Sequence, residues 1–202
     1  DVAGAFTAEW NAALHTLAPA AAPVTDALAA HGPAVLLNYP AALHDPARTA
    51  LLPPHVFLGS AVRAGTAPAD VRAWLDADDR GFVYVSFGSF LSERADVLST
   101  VLTALRELDV RVAVATGAAR DLPATPADWL VRPYLPQTAL LPRAAAAVTH
   151  GGNNSVTEAL TCGVPMLVLP FSTDQFAGAA AIERAGLGEA LDPNTASPAD
   201  VA

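Results

Sequence analysis

Short, continuous runs of apolar residues alternate with segments of helical periodicity from residue 81 onward, and this alternation restricts the fold more than any other feature. The apolar runs have the length of strands, but they lack the every-second-residue polarity of a sheet with one face in water. Strands of this kind belong to parallel sheets that helices cover on both faces. The pattern therefore predicts a doubly wound parallel α/β domain with strands at 81–89, 110–117, 129–132, 145–150 and 165–170 and helices at 93–108, 137–141, 154–162 and 174–186.

The first 64 residues follow a different pattern. Residues 1–31 have helical spacing of apolar residues, and Pro19 and Pro23 are expected to interrupt the helices. Apolar runs at 34–39 and 55–63 predict two strands. The small and polar residues that follow have the composition of a linker. We therefore predict a domain boundary near residue 65, with part of one domain at 1–64 and the α/β domain at 65–202.

The charge balance limits the kinds of partner. The chain has 20 Asp and Glu against 11 Lys and Arg, which gives a formal net charge of −9. An acidic surface repels polyanions, so neither nucleic acid nor an anionic membrane is expected as a partner. No apolar stretch reaches the roughly 20 residues of a membrane span. Because the only cysteine, Cys162, cannot form an internal disulfide, we predict a cytoplasmic protein.

Both ends of the chain suggest a piece of a longer protein. The first residue is Asp1 rather than Met, and helical spacing begins almost at once. Near the other end, Ser197, Pro198 and Asp200 have the pattern of a helix start. Too few residues remain before Ala202 for a helix of ordinary length. We therefore expect the first domain to be partial and the α/β domain to be truncated at its C-terminal end.

The sequence VTHGGNNSVTE joins a predicted strand to a predicted helix. Ligands of parallel α/β sheets bind at this end of the strands. Gly151 and Gly152 remove side chains where a ligand approaches the backbone. The helix that Asn154 and Ser155 open offers free N–H groups to an anion. His150 adds an imidazole that contributes most when protonated, so the turn predicts a phosphate site without Lys or Arg.

The same turn also has a purely structural interpretation. Ser155 and Glu158 have the spacing of a capping box, in which the two side chains only satisfy backbone donors at the helix start. In the functional interpretation, the Glu158 carboxylate instead accepts hydrogen bonds from two vicinal ribose hydroxyls beside the phosphate. The turn alone leaves both interpretations open.

Two further strand ends carry polar residues. The strand at 81–89 ends at Ser89, whose hydroxyl is expected to donate to the same phosphates. The strand at 165–170 is followed by Asp174 and Gln175, which suit the hydroxyl groups of a polyol. Each residue alone is more typical of a helix cap, but three polar strand ends in one domain favour a binding site.

A long segment from Tyr134 to Gln175 has the sequence YLPQTALLPRAAAAVTHGGNNSVTEALTCGVPMLVLPFSTDQ, with FVYVSFGS upstream of it. It resembles the donor-binding box of nucleotide-sugar-dependent glycosyltransferases of the GT-B type, which include plant secondary-product and bacterial natural-product transferases. The resemblance covers most of residues 80–190. It implies a Rossmann-like C-terminal donor domain, preceded by the end of an acceptor-binding domain.

The resemblance also implies roles for individual residues. Tyr134 stands where the family stacks the nucleobase, and Gln137 and Glu158 stand where it binds the ribose. Asp174 and Gln175 stand where it holds the transferred sugar. The implied diphosphate site comprises His150, Gly151, Gly152, Asn154, Ser155 and Ser89.

The match departs from the plant pattern at several positions. Plant members have Trp where Tyr134 and Asn153 stand, and the position at Arg143 is of the bacterial style. These departures leave UDP and dTDP donors both open. The family's general base is a His near the start of the N-terminal domain, a region that this chain does not contain. We therefore do not propose a catalytic role for four of the histidines, which are His15, His31, His44 and His55.

We predict that the chain carries the donor site of an inverting glycosyltransferase, which transfers sugar from UDP or dTDP to a hydroxyl of a small lipophilic natural product. The chain alone is expected to be inactive because the base lies outside it. No metal or other cofactor is expected, since the helix N-terminus and His150 stabilise the diphosphate. One alternative is a non-catalytic nucleotide-sugar-binding module or auxiliary partner. A second alternative is a dinucleotide oxidoreductase. It is disfavoured because this chain has no G-x-G-x-x-G motif after the first strand of the α/β domain.

Overall fold

The computed structural model describes residues 1–29, 32–88, 94–172 and 174–202. His31 and Ser89, which the sequence analysis considered, lie outside these ranges. The helices are α1 (Val2–Leu17), α2 (Pro46–Thr49), α3 (Ala69–Asp76), α4 (Ala95–Arg106), α5 (Gln137–Leu140), α6 (Asn153–Thr161), α7 (Asp174–Arg184) and α8 (Pro198–Val201). The strands are β1 (Val35–Leu37), β2 (His55–Phe57), β3 (Phe82–Ser86), β4 (Arg111–Ala115), β5 (Leu130–Arg132), β6 (Ala144–Thr149), β7 (Met166–Val168) and β8 (Gly188–Ala190).

Six of the strands form one sheet in the order β5-β4-β3-β6-β7-β8, and every neighbouring pair is parallel. The chain starts this sheet in the middle at β3, adds β4 and β5 on one side, and then crosses to β6 on the other. The strand order therefore reverses between β3 and β6, which makes their carboxyl ends the topological switch point.

Apolar side chains cover both faces of this sheet. On β3, Phe82 and Tyr84 pack in one layer with residues of α3, α6 and α7. Val85 belongs to a second layer, which contains the buried face of α4 and the β4 residues Val112 and Val114. This two-sided burial explains the continuous apolar runs in the sequence and confirms the predicted doubly wound α/β fold.

The first 64 residues form a looser arrangement. None of the residues of α1 is buried, and the following loop is held by Asn11, whose side chain both accepts from the N–H of Val24 and donates to its C=O, each at 2.9 Å. β1 and β2 pair in parallel as a separate two-stranded sheet. Leu43, in a short 3-10 turn, is buried in the first core layer of the larger sheet.

Three expectations about local structure need correction. We expected Pro19 and Pro23 to interrupt a helical region. Instead, the helical region ends before them, because α1 stops at Leu17 and the described residues 18–29 contain no further helix. β8 was not predicted, since Gly188 and Glu189 break any apolar run. The helix start near Ser197, after which too few residues seemed to remain for a helix, forms a single turn, α8. A capping box joins Ser197 and Asp200 at its start. The domain boundary near residue 65 stays a prediction.

Candidate functional site

Two turns with the same construction end β3 and β6 at the switch point. Ser86 and Thr149 are paired across the two strands. The hydroxyl of Ser86 accepts a hydrogen bond from the N–H of Gly88, and that of Thr149 accepts one from the N–H of Gly151, both at 3.3 Å. The two glycines have φ of +73° and +83°, a conformation that other residues rarely adopt. Both turns therefore depend on a hydroxyl residue followed two positions later by glycine.

The imidazole of His150 lies between two glycines. A Cβ atom built on Gly88 would lie 2.9 Å from Cε1 of His150, and one built on Gly152 would lie 2.5 Å from Nε2. Both distances are shorter than van der Waals contact allows. The ring position therefore requires the absence of a side chain at both residues, and Gly88 comes from a different strand end than the histidine itself.

The surroundings of His150 act on the pKa of its imidazole in opposite directions. Burial of the ring lowers its pKa, and the nearby Asp174 carboxylate offsets this only in part. Nδ1 is buried and has no hydrogen-bond partner among the described residues. These surroundings favour the neutral form while no anion is bound, and protonation of the imidazole beside a bound phosphate stays a prediction.

Helix α6 begins directly after this turn with Gly152 as its N-cap, so Ser155 is the third residue of the helix and not its cap. Ser155 and Glu158 therefore do not form the capping box that the structural interpretation required. Among the described residues, no side chain accepts a hydrogen bond from the first N–H groups of α6, an arrangement that suits a bound anion. Asn153 donates from Nδ2 to the C=O of Asn38 at 3.2 Å, which ties the first 64 residues to this turn.

The predicted nucleoside residues lie on neighbouring elements. Gln137, the first residue of α5, donates from Nε2 to Oε2 of Glu158 on α6 at 2.6 Å. This contact joins two residues that are 21 positions apart in the sequence. Tyr134, which precedes α5, is 81% exposed. The structure therefore brings Gln137 and Glu158 together, and it leaves the tyrosine ring open to solvent.

Asp174 and Gln175 open α7 and have different surroundings. Asp174 lies close enough to His150 to raise the pKa of the imidazole, although burial has the larger effect. Gln175 is buried, and its Oε1 accepts from the N–H groups of Phe171 and Ser172 at 2.8 and 3.2 Å. The amide oxygen of Gln175 thus stabilises the loop before α7. A direct contact of Gln175 with sugar stays a prediction, as does the role of Ser89.

The spacing of hydroxyl residue and glycine that the two turns share was not predicted. Ser86-Phe87-Gly88 and Thr149-His150-Gly151 share the pattern hydroxyl residue, any residue, glycine, each at the end of a strand. This spacing was visible in the sequence and could have identified both turns. A cavity of about 620 Å³ lies beside the site, between residues 36–57 and α7, and it was not predicted either. No motif indicates that cavity, since its two walls are more than 100 positions apart.

Two negative observations concern the described part of the chain. There, no group of three His, Cys, Asp or Glu side chains is arranged to hold a metal ion. None of the helices found in the described ranges has the length and apolar character needed to cross a membrane.

The fold and this site define a class: α/β proteins whose ligand site lies at the switch point of a doubly wound parallel sheet. Within that class, the family of UDP-glucoronosyl and UDP-glucosyl transferases matches residues 6–202, and the chain belongs to this family. The predicted resemblance to nucleotide-sugar-dependent glycosyltransferases is thereby confirmed.

Several characterised relatives support this assignment. The chain is 38% identical over 141 residues to a PGL/p-HBAD biosynthesis rhamnosyltransferase of Mycobacterium bovis, a match that covers 68% of this chain and 30% of that protein. It is 33% identical over 153 residues to 4'-demethylrebeccamycin synthase of Lentzea aerocolonigenes, covering 74% and 36% of the two chains. The matched regions thus amount to about a third of the length of these relatives.

Solved structures confirm the GT-B fold. The glycotransferase of kitacinnamycin aligns with a TM-score of 0.73 and 24% identity over 98% of this chain and 51% of that one. The spinosyn forosaminyltransferase SpnP aligns with a TM-score of 0.69 and 24% identity over 84% and 44% of the two chains. This chain therefore corresponds to about half of each solved structure.

Proposed function

We propose that this chain forms the donor site of an inverting glycosyltransferase, which takes a UDP- or dTDP-sugar and transfers the sugar to a hydroxyl of a small lipophilic natural product. One observation carries the proposal. His150, the uncapped start of α6 and the hydrogen-bonded pair of Gln137 and Glu158 lie together at the switch point of the sheet.

The start of α6 supports binding of the diphosphate. Its free N–H groups and the positive end of the helix dipole attract negative charge. His150 lies at the same point, and its buried Nδ1 has no partner among the described residues. A bound phosphate favours the protonated imidazole, because an opposite charge stabilises the charged form. This explains how a chain of net charge −9 can hold a dianion without Lys or Arg at the site.

The pair on α5 and α6 supports binding of the nucleoside. Gln137 donates to one carboxylate oxygen of Glu158, which fixes the orientation of the carboxylate. Its second oxygen would then accept hydrogen bonds from the ribose hydroxyls. Tyr134 is exposed and has an open aromatic face, as stacking on a base requires.

In the proposed reaction, an acceptor hydroxyl attacks the anomeric carbon and the nucleoside diphosphate leaves from the opposite side. The proton of the hydroxyl passes to a base outside this chain. The residues of this chain orient the donor and stabilise the negative charge that develops on the leaving diphosphate. Asp174 would hold hydroxyl groups of the sugar, since it opens α7 beside His150.

Calorimetric titration with UDP, dTDP and NAD tests the proposal. We expect UDP or dTDP to bind and NAD to give no signal. His150→Ala should weaken binding of the diphosphate about tenfold to a hundredfold, the cost of losing one charge-assisted hydrogen bond. The matched control is His15→Ala on the exposed helix α1, which should bind like the unmodified protein. Absence of binding to both nucleotides, in a sample with folded circular dichroism, contradicts the proposal.

A further inference from the structure

The cavity beside the donor site has two distinct ends. One end reaches Gly151, Asn153 and Asp174, which belong to the donor site. The other reaches Arg184, at the opposite end of α7. Ten residues separate Asp174 from Arg184, so the rise of the helix makes the cavity about 15 Å long.

The middle of the cavity is apolar. Leu37 and Phe57 of the two-stranded sheet, together with Leu43, form one wall. Val156 of α6 and Ala177 of α7 form the opposite wall. An elongated apolar molecule would bury its length between these walls, and burial of apolar surface is the main source of affinity in such pockets.

The far end of the cavity carries a surplus of positive charge. Arg48 and Arg184 both line it, and both act electrostatically on the carboxylate of Asp45. The ion pairs found among the described residues involve other arginines, namely Arg80, Arg94, Arg111, Arg132 and Arg143. Two guanidinium groups and one carboxylate leave one positive charge at this end of the cavity, opposite the carboxylate of Asp174 at the donor end.

We propose that this cavity binds the acceptor and that the acceptor is an elongated apolar molecule with a hydroxyl at one end and a carboxylate at the other. The inference rests on the proposed function, because it places the reacting hydroxyl at the Asp174 end, beside the donor. The carboxylate then lies between Arg48 and Arg184. A neutral molecule of the same length would fill the apolar middle but would leave the positive charge unpaired.

Two probes of equal length test the charge requirement: 10-hydroxydecanoate and 1,10-decanediol. Titration calorimetry should show that the acid binds about fivefold more tightly than the diol, as expected for an ion pair near the surface. Arg184→Gln and Arg48→Gln should each reduce this preference while leaving diol binding unchanged. The matched control is Arg106→Gln at the end of α4, which removes the same charge away from the cavity and should keep the full preference.

UDP binding, measured on the same samples, separates this inference from the proposed function. If UDP binds but the two probes bind equally, or neither binds, the inference is overturned and the donor site stands. An equal loss of preference in Arg106→Gln also overturns it, because the effect would then come from net charge alone. Failure of both UDP and dTDP to bind to the folded, unmodified chain overturns the proposed function itself.

Discussion

The turn after β3 and the turn after β6 share a backbone design but differ in the residue between the hydroxyl and the glycine. In the β3 turn this residue is Phe87, which is buried and packs edge-on against Phe171 with ring centroids 5.0 Å apart. In the β6 turn it is His150, whose Nδ1 has no partner among the described residues. The β6 turn also leads straight into the uncapped start of α6.

This difference indicates that the β3 turn has a structural role, whereas the β6 turn has a role in ligand binding in our proposal. The β3 turn fixes the core and supplies Gly88, whose missing side chain leaves room for the imidazole of the other turn. The β6 turn supplies His150 and leads into the start of α6, the two features that we propose to bind the diphosphate. A change in the β3 turn should therefore act mainly on stability, whereas a change in the β6 turn should act on both stability and binding.

The largest effect is expected from Gly151→Ala. A Cβ atom there would lie 2.7 Å from Cγ1 of Val168, and φ of +83° is unfavourable for alanine. We expect a loss of about 3 kcal/mol in the free energy of unfolding, from backbone strain and steric overlap together. Urea denaturation measures this loss, and UDP binding should be abolished where the variant still folds.

Gly163→Ala is the matched control for that substitution. Its φ is +69°, but no atom lies within 4 Å of the added Cβ. Strain alone should cost about 1 kcal/mol and leave UDP binding intact. Equal losses of stability at the two glycines would show that contact with Val168 has no part in the tightness of the β6 turn.

The next largest effects test the comparison directly. Thr149→Val and Ser86→Ala each remove the hydroxyl that accepts the glycine N–H of its turn. We expect each to lower the free energy of unfolding by about 1 kcal/mol, the usual cost of an unpaired donor. UDP affinity should fall about fivefold in Thr149→Val, since this turn leads directly into the proposed diphosphate site at the start of α6, and less than about twofold in Ser86→Ala.

Thr103→Val on α4 controls for the loss of a partly buried hydroxyl elsewhere, because the Thr103 hydroxyl donates to the C=O of Ser99 within the helix. It should bind UDP like the unmodified chain. If Ser86→Ala weakens UDP binding as much as Thr149→Val, the two turns contribute equally to the ligand site and the distinction between them is wrong.

The sheet could be predicted from the sequence because its signal is local. The apolar runs that became β3, β4 and β6 are continuous, and both faces of the sheet are buried, so no other periodicity competed with them. β8 could not be predicted, because it contributes only three residues, two of them Gly188 and Glu189. It forms a strand through hydrogen bonds to β7 rather than through its own apolar residues.

The site could be predicted in part for a similar reason. The segment from His150 to Glu158 lies within one turn and helix, so its pattern was readable. The lowered pKa of His150 could not be predicted, because it depends on burial of the ring beside Gly88, which is 62 positions away in the sequence. The buried position of Gln175 depends in the same way on a loop whose fold the sequence does not indicate.

The last prediction concerns pH and reports on the imidazole once the titration of UDP itself is subtracted. Burial lowers the pKa of His150 in the free chain, and a bound diphosphate raises it again. Binding therefore takes up a proton when the pH lies between the two pKa values, so affinity rises as the pH falls through this range and is constant above it. We expect UDP to bind about fivefold more tightly at about pH 5.5 than at about pH 7.5. UDP itself protonates in the same pH range, since phosphate has a second pKa of about 6. The His150→Ala variant therefore gives the pH dependence that comes from UDP alone.

Calorimetry of both proteins across this range should show that the affinity for UDP depends more steeply on pH in the unmodified chain. Identical profiles would mean that His150 stays neutral when the diphosphate is bound, and that the start of α6 alone carries the negative charge.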